Sequence, residues 1–178
     1  TQGYSSAASD VYKRQIGLGI SDKAFFSQSV DYIEKISKEH DKFYGTLITL
    51  TNHTPFSEVD KYGEFDVNIK ESVTNEDGTV TDVTYPYMEG TKLGNYFKSV
   101  HYADEALGEF INKLDEKGLL DNTVVVIYGD HDARLPKKDY NRLYNYDKTT
   151  DSVKDEDSEG YVNFDSYQYA FSYTHLTL

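Results

Sequence analysis

The chain has 178 residues and a formal net charge of −13, and it contains neither cysteine nor tryptophan. A chain of this length is expected to form one domain that buries about 70% of its unfolded surface. The acidic charge argues against binding to nucleic acid or to anionic lipid through this surface. The lack of cysteine excludes disulfides and thiolate chemistry. No apolar run approaches the roughly 20 residues of a membrane span, so any membrane anchor is expected outside this chain.

Both ends of the chain differ in character from the rest. Residues 1–15 show no hydrophobic periodicity, and the run from Ser5 to Gln15 resembles translated adaptor sequence, as do residues 172–178. We therefore set both ends aside. We expect the natural sequence to span residues 16–171 and to be truncated at both ends. His175 lies in the final run and receives no functional role.

The first periodic stretch begins after Ser21 and predicts an amphipathic helix. Ser21 is a suitable N-cap, and the dipole of a helix favours an acid such as Asp22 in the first turn. We expect the helix to end at residues 40–42, with His40 facing solvent. The apolar positions, spaced three and four residues apart, are Phe26, Val30, Ile33 and Ile36.

A second stretch, Phe43 to Leu50, is rich in β-branched and aromatic residues and predicts a strand. It leads into Thr51–Phe56, where Pro55 disfavours helical geometry for the residue before it. The strand is therefore expected to end in a loop. His53 is expected at the carboxyl end of this strand.

Residues 57–89 are acidic, with nine Asp or Glu and two Lys. The turn-forming run from Asn75 to Gly78 precedes an alternating segment, Thr79–Thr84, and this order predicts a β-hairpin. We interpret residues 57–89 as an exposed insertion whose charges are solvated rather than a cation site.

Residues 92–117 carry the strongest helical pattern of the chain. Gly118 follows as a suitable C′ residue, since glycine adopts a left-handed conformation at the least cost. His101 lies off the apolar stripe and is expected at the surface, and Asp104 interrupts the stripe. The predicted stripe consists of Leu93, Phe97, Val100, Asp104, Leu107, Ile111 and Leu114, broadened by Tyr96, Ala103 and Phe110.

The most informative stretch of the chain is an apolar run, residues 123–129, followed directly by Asp130 and His131. A continuous run of this kind predicts a fully buried strand of a parallel sheet. Ligands of open α/β sheets bind just beyond the carboxyl ends of the strands. An adjacent carboxylate and imidazole suit Zn²⁺ or Mn²⁺ better than Ca²⁺. The alternative interpretation is that Asp130 caps a turn and His131 is a surface residue.

The order of strand, helix-containing crossover and strand predicts a right-handed βαβ unit. The strands at residues 43–50 and 123–129 are therefore expected to be parallel, in one sheet, with the helix on one face. His53 and the Asp130–His131 pair then lie at the same edge. Because neighbouring side chains of a regular strand point to opposite faces, we expect a turn at Gly129–His131 that brings both to one side.

The remainder, Leu135 to Phe171, is polar and rich in tyrosine. Only Asp139 to Tyr146 is predicted to form a short helix. The acidic run from Asp151 to Gly160 is expected to form a loop.

Three segments carry a resemblance to a known family: Phe43–Phe56 with its Leu-Thr-Asn-His, Tyr102–Leu107, and Leu119–His131 with its Tyr-Gly-Asp-His. Over residues 16–135 the chain resembles the lipoteichoic acid synthase family, in the sulfatase-like branch of the alkaline phosphatase superfamily. The resemblance implies a partial α/β fold of the alkaline-phosphatase/sulfatase type. Such a fold has a parallel-rich sheet with flanking helices.

The resemblance also implies a function. Members of the family are membrane-anchored enzymes whose extracellular domain transfers glycerol phosphate from phosphatidylglycerol through a metal-activated threonine. It implies that Asp130 and His131 are metal ligands and that His53 contacts the substrate phosphate. The expected cofactor is a divalent cation, Mn²⁺ first, with Zn²⁺ or Mg²⁺ as alternatives. The expected partners are a phosphatidylglycerol-like lipid and a glycopolymer acceptor, at the cell membrane of a Gram-positive-type bacterium.

Two departures from the family limit this mapping. The family's nucleophilic threonine and a glutamate ligand belong to a segment N-terminal to this one, so no threonine here is assigned as nucleophile. The best-known synthases continue Gly-Asp-His with Tyr-Gly, whereas this chain has Asp132, Ala133 and Arg134. A phosphate contact and a surface salt bridge both stay open for Arg134. The alternative functions are a sulfatase or phosphoethanolamine transferase of the same fold, and a non-catalytic module that binds anionic glycopolymer.

Overall fold

The computed structural model describes residues 15–85, 88–162 and 175–177. The helices in these residues are α1 (Asp22–Glu39), α2 (Lys92–Glu116) and α3 (Lys137–Asn145), with a 3₁₀ turn at Val59–Lys61. The strands are β1 (Gln15–Ile16), β2 (Gly19–Ile20), β3 (Thr46–Ile48), β4 (Ile69–Thr74), β5 (Val80–Tyr85), β6 (Val126–Tyr128), β7 (Tyr146–Asp147), β8 (Ser152–Val153) and β9 (His175–Thr177).

The first helix begins and ends as the sequence predicts. The Ser21 hydroxyl accepts a hydrogen bond from the Ala24 amide at 3.4 Å, so Ser21 is the N-cap of α1. His40 follows the last helical residue and is exposed, as expected. The local pattern was sufficient here because capping and amphipathicity are both properties of nearby residues.

The long helix α2 also has the predicted limits, and its buried face includes Tyr96, Ala103 and Phe110, which broaden the predicted stripe. Thr91 caps the helix by accepting from the Gly94 amide at 3.0 Å, and Gly118 follows it with φ +65. Asp104, in the middle of the predicted stripe, is exposed, whereas Ala106 is 1% exposed. Leu93, Phe110 and Leu114 are each 1% exposed, so the predicted face is the buried one apart from Asp104.

A first apolar cluster joins α1 and α2 to the sheet. Phe26 of α1 stacks on Phe110 of α2 with ring centroids 4.6 Å apart, and both are almost fully buried. Leu47 of β3 and Val125, just before β6, pack against the same cluster. Both helices therefore cover one face of the sheet, as the βαβ prediction requires for α2.

The strands β3 and β6 lie in one sheet in the order β3-β9-β6. Each pairs antiparallel with β9, so β3 and β6 are parallel to each other, and that prediction is confirmed. The sequence does not predict the intervening strand, because residues 172–178 resemble adaptor sequence. That origin for the terminal residues stays a prediction.

The prediction that residues 123–129 form a fully buried strand is wrong. Only Val126–Tyr128 is a strand, and its three residues are 42–49% exposed, with Val124 at 79%. Among the residues that the structure describes, α1 and α2 pack on the face of Val125, so Val124, Val126 and Tyr128 on the opposite face stay exposed. The opposite face also exposes Tyr44 and Ile48 of the β3 segment.

The acidic insertion contains the predicted hairpin. Strands β4 and β5 pair antiparallel from Ile69–Tyr85 to Thr74–Val80. The turn between them is closed by the Asn75 amide, which donates to the Thr79 carbonyl at 2.8 Å, and Gly78 has φ +81. The hairpin residues with described side chains are exposed or half-buried, which agrees with a solvated insertion.

Helix α3 begins two residues earlier than predicted. Residues 151–160 form the expected loop except at β8, which pairs with β7. No helix in residues 15–85 and 88–162 combines the length and the apolar composition that crossing a bilayer requires.

Replacing Phe110 by alanine tests the first apolar cluster. Because the ring is 1% exposed and stacked on Phe26, Phe110→Ala is expected to lower the free energy of unfolding by about 3–5 kcal/mol. Urea denaturation followed by circular dichroism measures this loss. The exposed neighbour Asn112 provides the control, since Asn112→Ala should change the value by less than about 0.5 kcal/mol. Equal effects of the two substitutions would contradict the assigned core.

Candidate functional site

The structure brings together the three residues that the sequence selects. The rings of His53 and His131 lie edge to face, with centroids 5.5 Å apart and an interplanar angle of 86°. Asp130 Oδ1 lies 3.7 Å from His131 Nε2. The chain bends at Asp130 and His131, directly after β6. The predicted turn is therefore present, and it brings the carboxylate and the imidazole to one side of the sheet edge.

Backbone carbonyls fix the orientation of both imidazoles. His53 Nδ1 lies 2.8 Å from the Thr54 carbonyl oxygen, and His131 Nδ1 lies 2.6 Å from that of Asp132. A carbonyl oxygen only accepts, so Nδ1 donates in each ring. In the neutral imidazole this leaves a lone pair on Nε2, the arrangement that metal-binding histidines use.

The Asp130–His131 pair has a geometry that fits a divalent cation. Two ligand atoms, each about 2.0–2.2 Å from an ion, are at most about 4.4 Å apart, and the separation of 3.7 Å lies within that limit. Within the described part of the chain, no group of three or more His, Asp or Glu side chains is arranged to hold a metal. The pair therefore supplies part of a coordination shell.

A buried carboxylate that the sequence did not single out as a site residue holds the His53 loop. Asp22 Oδ1 accepts from the Leu50 and Thr51 amides at 3.1 and 3.0 Å, and the Asp22 amide donates to Thr51 Oγ1 at 2.9 Å. Asp22 and Thr51 are each 1% exposed. The N-terminus of α1 is thereby joined to the end of β3. No local sequence signal distinguishes this role from that of an ordinary first-turn acid.

A second buried polar contact involves Asn52, the residue after Thr51. The Ser99 hydroxyl of α2 donates to Asn52 Oδ1 at 2.5 Å, and both residues are at most 1% exposed. Asn52 directly precedes His53, so the contact positions the histidine relative to α2. The sequence did not predict it, because Ser99 lies off the predicted apolar stripe.

A second apolar cluster holds both histidine loops against α2. Phe56 follows His53 and packs edge to face on Tyr96, with ring centroids 5.3 Å apart. Ala133 and Leu135 follow His131 and belong to the same cluster. Burial of these side chains on one helix fixes the distance between two loops that are far apart in sequence.

Lys92 bridges the two loops at the first turn of α2. Its Nζ donates to the Arg134 carbonyl at 3.2 Å and lies 5.9 Å from the centre of the Phe56 ring. Phe56 and Arg134 have φ of 58 and 51, respectively. Such left-handed geometry in residues other than glycine is uncommon and often occurs near functional sites.

Two further candidates are His101 and Arg134. His101 is half-buried, 3.4 Å from Glu105 and stacked on Phe65, and it does not join the site. Arg134 is exposed, and its amide donates to Asp132. A role for Arg134 in phosphate binding stays a prediction, as do the ligand roles of Asp130 and His131 and the substrate role of His53.

Comparison with known proteins decides the family. The Sulfatase family model matches residues 2–159, which is most of the chain. The chain belongs to the sulfatase family. Its resemblance to lipoteichoic acid synthases is confirmed as well, and with it the sulfatase-like α/β fold class.

Three relatives of this sulfatase-family chain show the extent of the similarity. It is 36% identical to the lipoteichoic acid synthase of Staphylococcus saprophyticus over 140 residues, which cover 79% of this chain and 17% of the relative. It is 42% identical to the enzyme of Staphylococcus aureus over 119 residues, covering 67% and 15%. The crystal structure of the lipoteichoic acid synthase LtaP from Listeria monocytogenes matches with a TM-score of 0.54 and 30% identity, covering 92% of this chain and 33% of that chain.

The chain thus spans about one sixth of the length of these curated relatives. The similarity to LtaP extends over almost all of this chain.

The buried carboxylate of Asp22 predicts a pH dependence of stability in this sulfatase-family chain. Burial raises the pKa of Asp22 above its ordinary value of 3.8, although hydrogen bonds from Thr51 and Leu50 oppose the shift. Because its pKa is raised, Asp22 binds more protons in the folded state than in the unfolded state. Its contribution to the free energy of unfolding is therefore full below pH 3.8 and is lost as pH rises through the folded-state pKa.

We therefore expect the unfolding free energy of the wild type to fall, relative to that of Asp22→Asn, as pH rises from 3.8 through the folded-state pKa of Asp22. Urea denaturation of both proteins at several pH values measures the difference. Asp31→Asn, at an exposed position of the same helix, is the control. A difference that is constant with pH, or that favours the wild type increasingly, would show that Asp22 is not buried as a carboxylate.

Proposed function

We propose that this chain is part of the catalytic domain of a phosphoglycerol transferase that takes glycerol phosphate from a phosphatidylglycerol-like lipid and adds it to a cell-surface glycopolymer. The observation that carries the proposal is the approach of His53 to the Asp130–His131 pair at the carboxyl ends of two parallel strands. The relatives named lipoteichoic acid synthases support the choice of reaction. The proposed location is the outer side of the cell membrane, with this domain extracellular.

Asp130 and His131 are proposed to hold a divalent cation, Mn²⁺ first, with Zn²⁺ or Mg²⁺ as alternatives. When bound, such an ion lowers the pKa of a coordinated hydroxyl and neutralises charge on phosphoryl oxygens. The Asp132 carbonyl keeps the His131 proton on Nδ1 and thus presents Nε2 to the ion. Asp130 supplies a hard oxygen ligand and a compensating negative charge.

His53 is proposed to act on the substrate phosphate. With Nδ1 donating to the Thr54 carbonyl, an added proton is carried by Nε2. The imidazolium then donates a hydrogen bond from Nε2 to a phosphoryl oxygen or transfers that proton to the leaving group. The Asn52–Ser99 contact and the Asp22–Thr51 contacts limit movement of the ring away from His131.

A sulfatase or phosphoethanolamine transferase would use the same cation and the same histidine. The nucleophile distinguishes these alternatives, and no residue of this chain is proposed for that role. The relatives named lipoteichoic acid synthases favour the phosphoglycerol transferase. A non-catalytic, polymer-binding module would not require the paired Nδ1 contacts, which prepare both imidazoles for ligation or proton transfer.

Titration with Mn²⁺ tests the metal site in this chain. Paramagnetic broadening of imidazole proton resonances falls steeply with distance, so the Hε1 signals of His53 and His131 are expected to broaden first. His40 and His101 serve as internal references. Binding is expected to be weak, since two protein ligands are fewer than the usual three or four.

The variants Asp130→Ala and His131→Ala are expected to remove this selective broadening, and His101→Ala is expected to leave it unchanged. His101 is the matched control because it also lies beside a carboxylate, at 3.4 Å from Glu105. Equal broadening of all histidines, or selective broadening that survives both site variants, would leave Asp130 as a turn residue and His131 as a surface residue.

The roles proposed for these residues also predict that this chain alone does not turn over phosphatidylglycerol analogues or aryl phosphates. The reason is that its threonines near the site are assigned structural roles, Thr51 being hydrogen-bonded to Asp22. Product release in an assay with added Mn²⁺ measures the activity. Turnover that is lost in Thr51→Ala or Thr54→Ala would place the nucleophile inside this chain and contradict the assignment.

A further inference from the structure

A strap within the acidic insertion, residues 62–67, lies along α2 without helical or strand structure. At its first residue, the ring of Tyr62 packs on that of Tyr102, with centroids 6.1 Å apart. At its last residue, Val67 is 4% exposed and lies so close to Gly94 that a Cβ there would be 3.4 Å from it. Both ends of the strap are therefore fixed on α2 by buried apolar contacts.

The middle of the strap is attached to α2 by a contact of a different kind. The ring of Phe65 stacks on the imidazole of His101, with centroids 4.2 Å apart and an interplanar angle of 17°. Phe65 is 38% exposed, and the His101 side chain is 35% exposed. Because both rings remain partly in water, the strength of this attachment depends on the charge of the imidazole as well as on apolar burial.

The imidazole of His101 also faces a carboxylate. Its Nε2 lies 3.4 Å from Glu105 Oε1, one turn later on α2. The other oxygen of Glu105 accepts from Lys23 of α1 at 3.0 Å, and this lysine, ahead of His101, lowers the pKa of Glu105. Glu105 is therefore ionised throughout the pH range in which histidines change charge. A proton on His101 adds a charge-assisted hydrogen bond that orients the ring and a cation–π contact with Phe65.

Among the charged groups around His101, acids outnumber lysines, and each of these lysines is paired with an acid. Two acids, Glu64 beside Phe65 and Asp104 one turn after His101, lie on the same segments. The charge around the ring is therefore negative, which is compatible with a protonated imidazole. The ion pairs are Lys23 with Glu105 and Glu109, Lys98 with Glu89, and Lys70 with Asp66.

We propose that protonation of His101 tightens the attachment of the strap to α2 through the ring of Phe65. As pH rises, the middle of the strap loosens while its two ends stay anchored. The strap leads directly into β4, so its attachment also restrains the base of the β4–β5 hairpin. This pH-dependent device acts on the acidic insertion and goes beyond the proposed function of the histidine loops.

Hydrogen–deuterium exchange of the strap in the whole chain, at about pH 5.5 and about pH 7.5, tests the proposal. Wild type is compared with His101→Gln at the same pH, so the intrinsic pH dependence of exchange cancels. The ratio of the exchange rate of His101→Gln to that of wild type is expected to be about two- to fivefold larger at the lower pH. This is the range that a cation–π contact at an exposed site supplies.

Three further variants assign the effect to the stacked pair. In a Phe65→Leu background, which keeps an apolar side chain but lacks the ring, His101→Gln is expected to have the same effect at both pH values. Glu105→Gln is expected to weaken the pH dependence, because the imidazolium loses its charged acceptor. His40→Gln, at the exposed end of α1, is the matched control and is expected to leave exchange of the strap unchanged.

A ratio that is equal at the two pH values, or larger at the higher one, would overturn the proposal. A pH dependence that persists in the Phe65→Leu background would also overturn it, since His101 would then act elsewhere than on the strap. The variant His131→Ala separates this inference from the proposed function. It is expected to lose the selective Mn²⁺ broadening and to keep the pH dependence of the strap, and loss of that dependence would place the titrating group at the candidate site instead.

Discussion

The candidate site depends on one packing arrangement, the burial of two loops on the N-terminal half of α2. Leu93 and Tyr96 of that helix share one apolar cluster with Phe56 from the first loop and with Ala133 and Leu135 from the second. Neither loop has regular secondary structure at its histidine, so their relative positions are set by side-chain packing. Because a close-packed cluster resists small displacements, the separation of the two histidine rings follows from the shape of this cluster.

Polar contacts orient the His53 loop, whereas apolar packing fixes only the distance between the two histidine loops. Asp22 receives two amides at the end of β3, and Ser99 donates to Asn52 beside His53. Removing one partner of such a buried pair leaves the other unsatisfied, which costs more than the pair contributes. These contacts restrain the loop, at the expense of a buried carboxylate with one oxygen, Oδ2, that has no hydrogen-bond partner. This cost is reasonable where the orientation of an imidazole matters for function.

The sequence predicts those parts of the fold that nearby residues determine. The N-cap at Ser21, the glycine at position 118 and the hairpin turn are local signals, and βαβ order then brings His53 to the Asp130–His131 pair. Three features are not local: the burial of Ser99 and Ala106 on α2, the role of Asp22, and the exposure of β6. Each depends on which elements pack together, and periodicity within one element does not contain that information.

The acidic and the basic side chains of this protein are gathered in different places and have different roles. The insertion at residues 57–89 carries acids that are solvated or paired with lysines, so they contribute to solubility more than to stability. Cations are instead gathered where the N-termini of α2 and α3 meet. Lys92 belongs to this group and also donates to the Arg134 carbonyl in the loop that follows His131. The position of that loop therefore depends in part on a hydrogen bond from an ammonium group of this cation cluster.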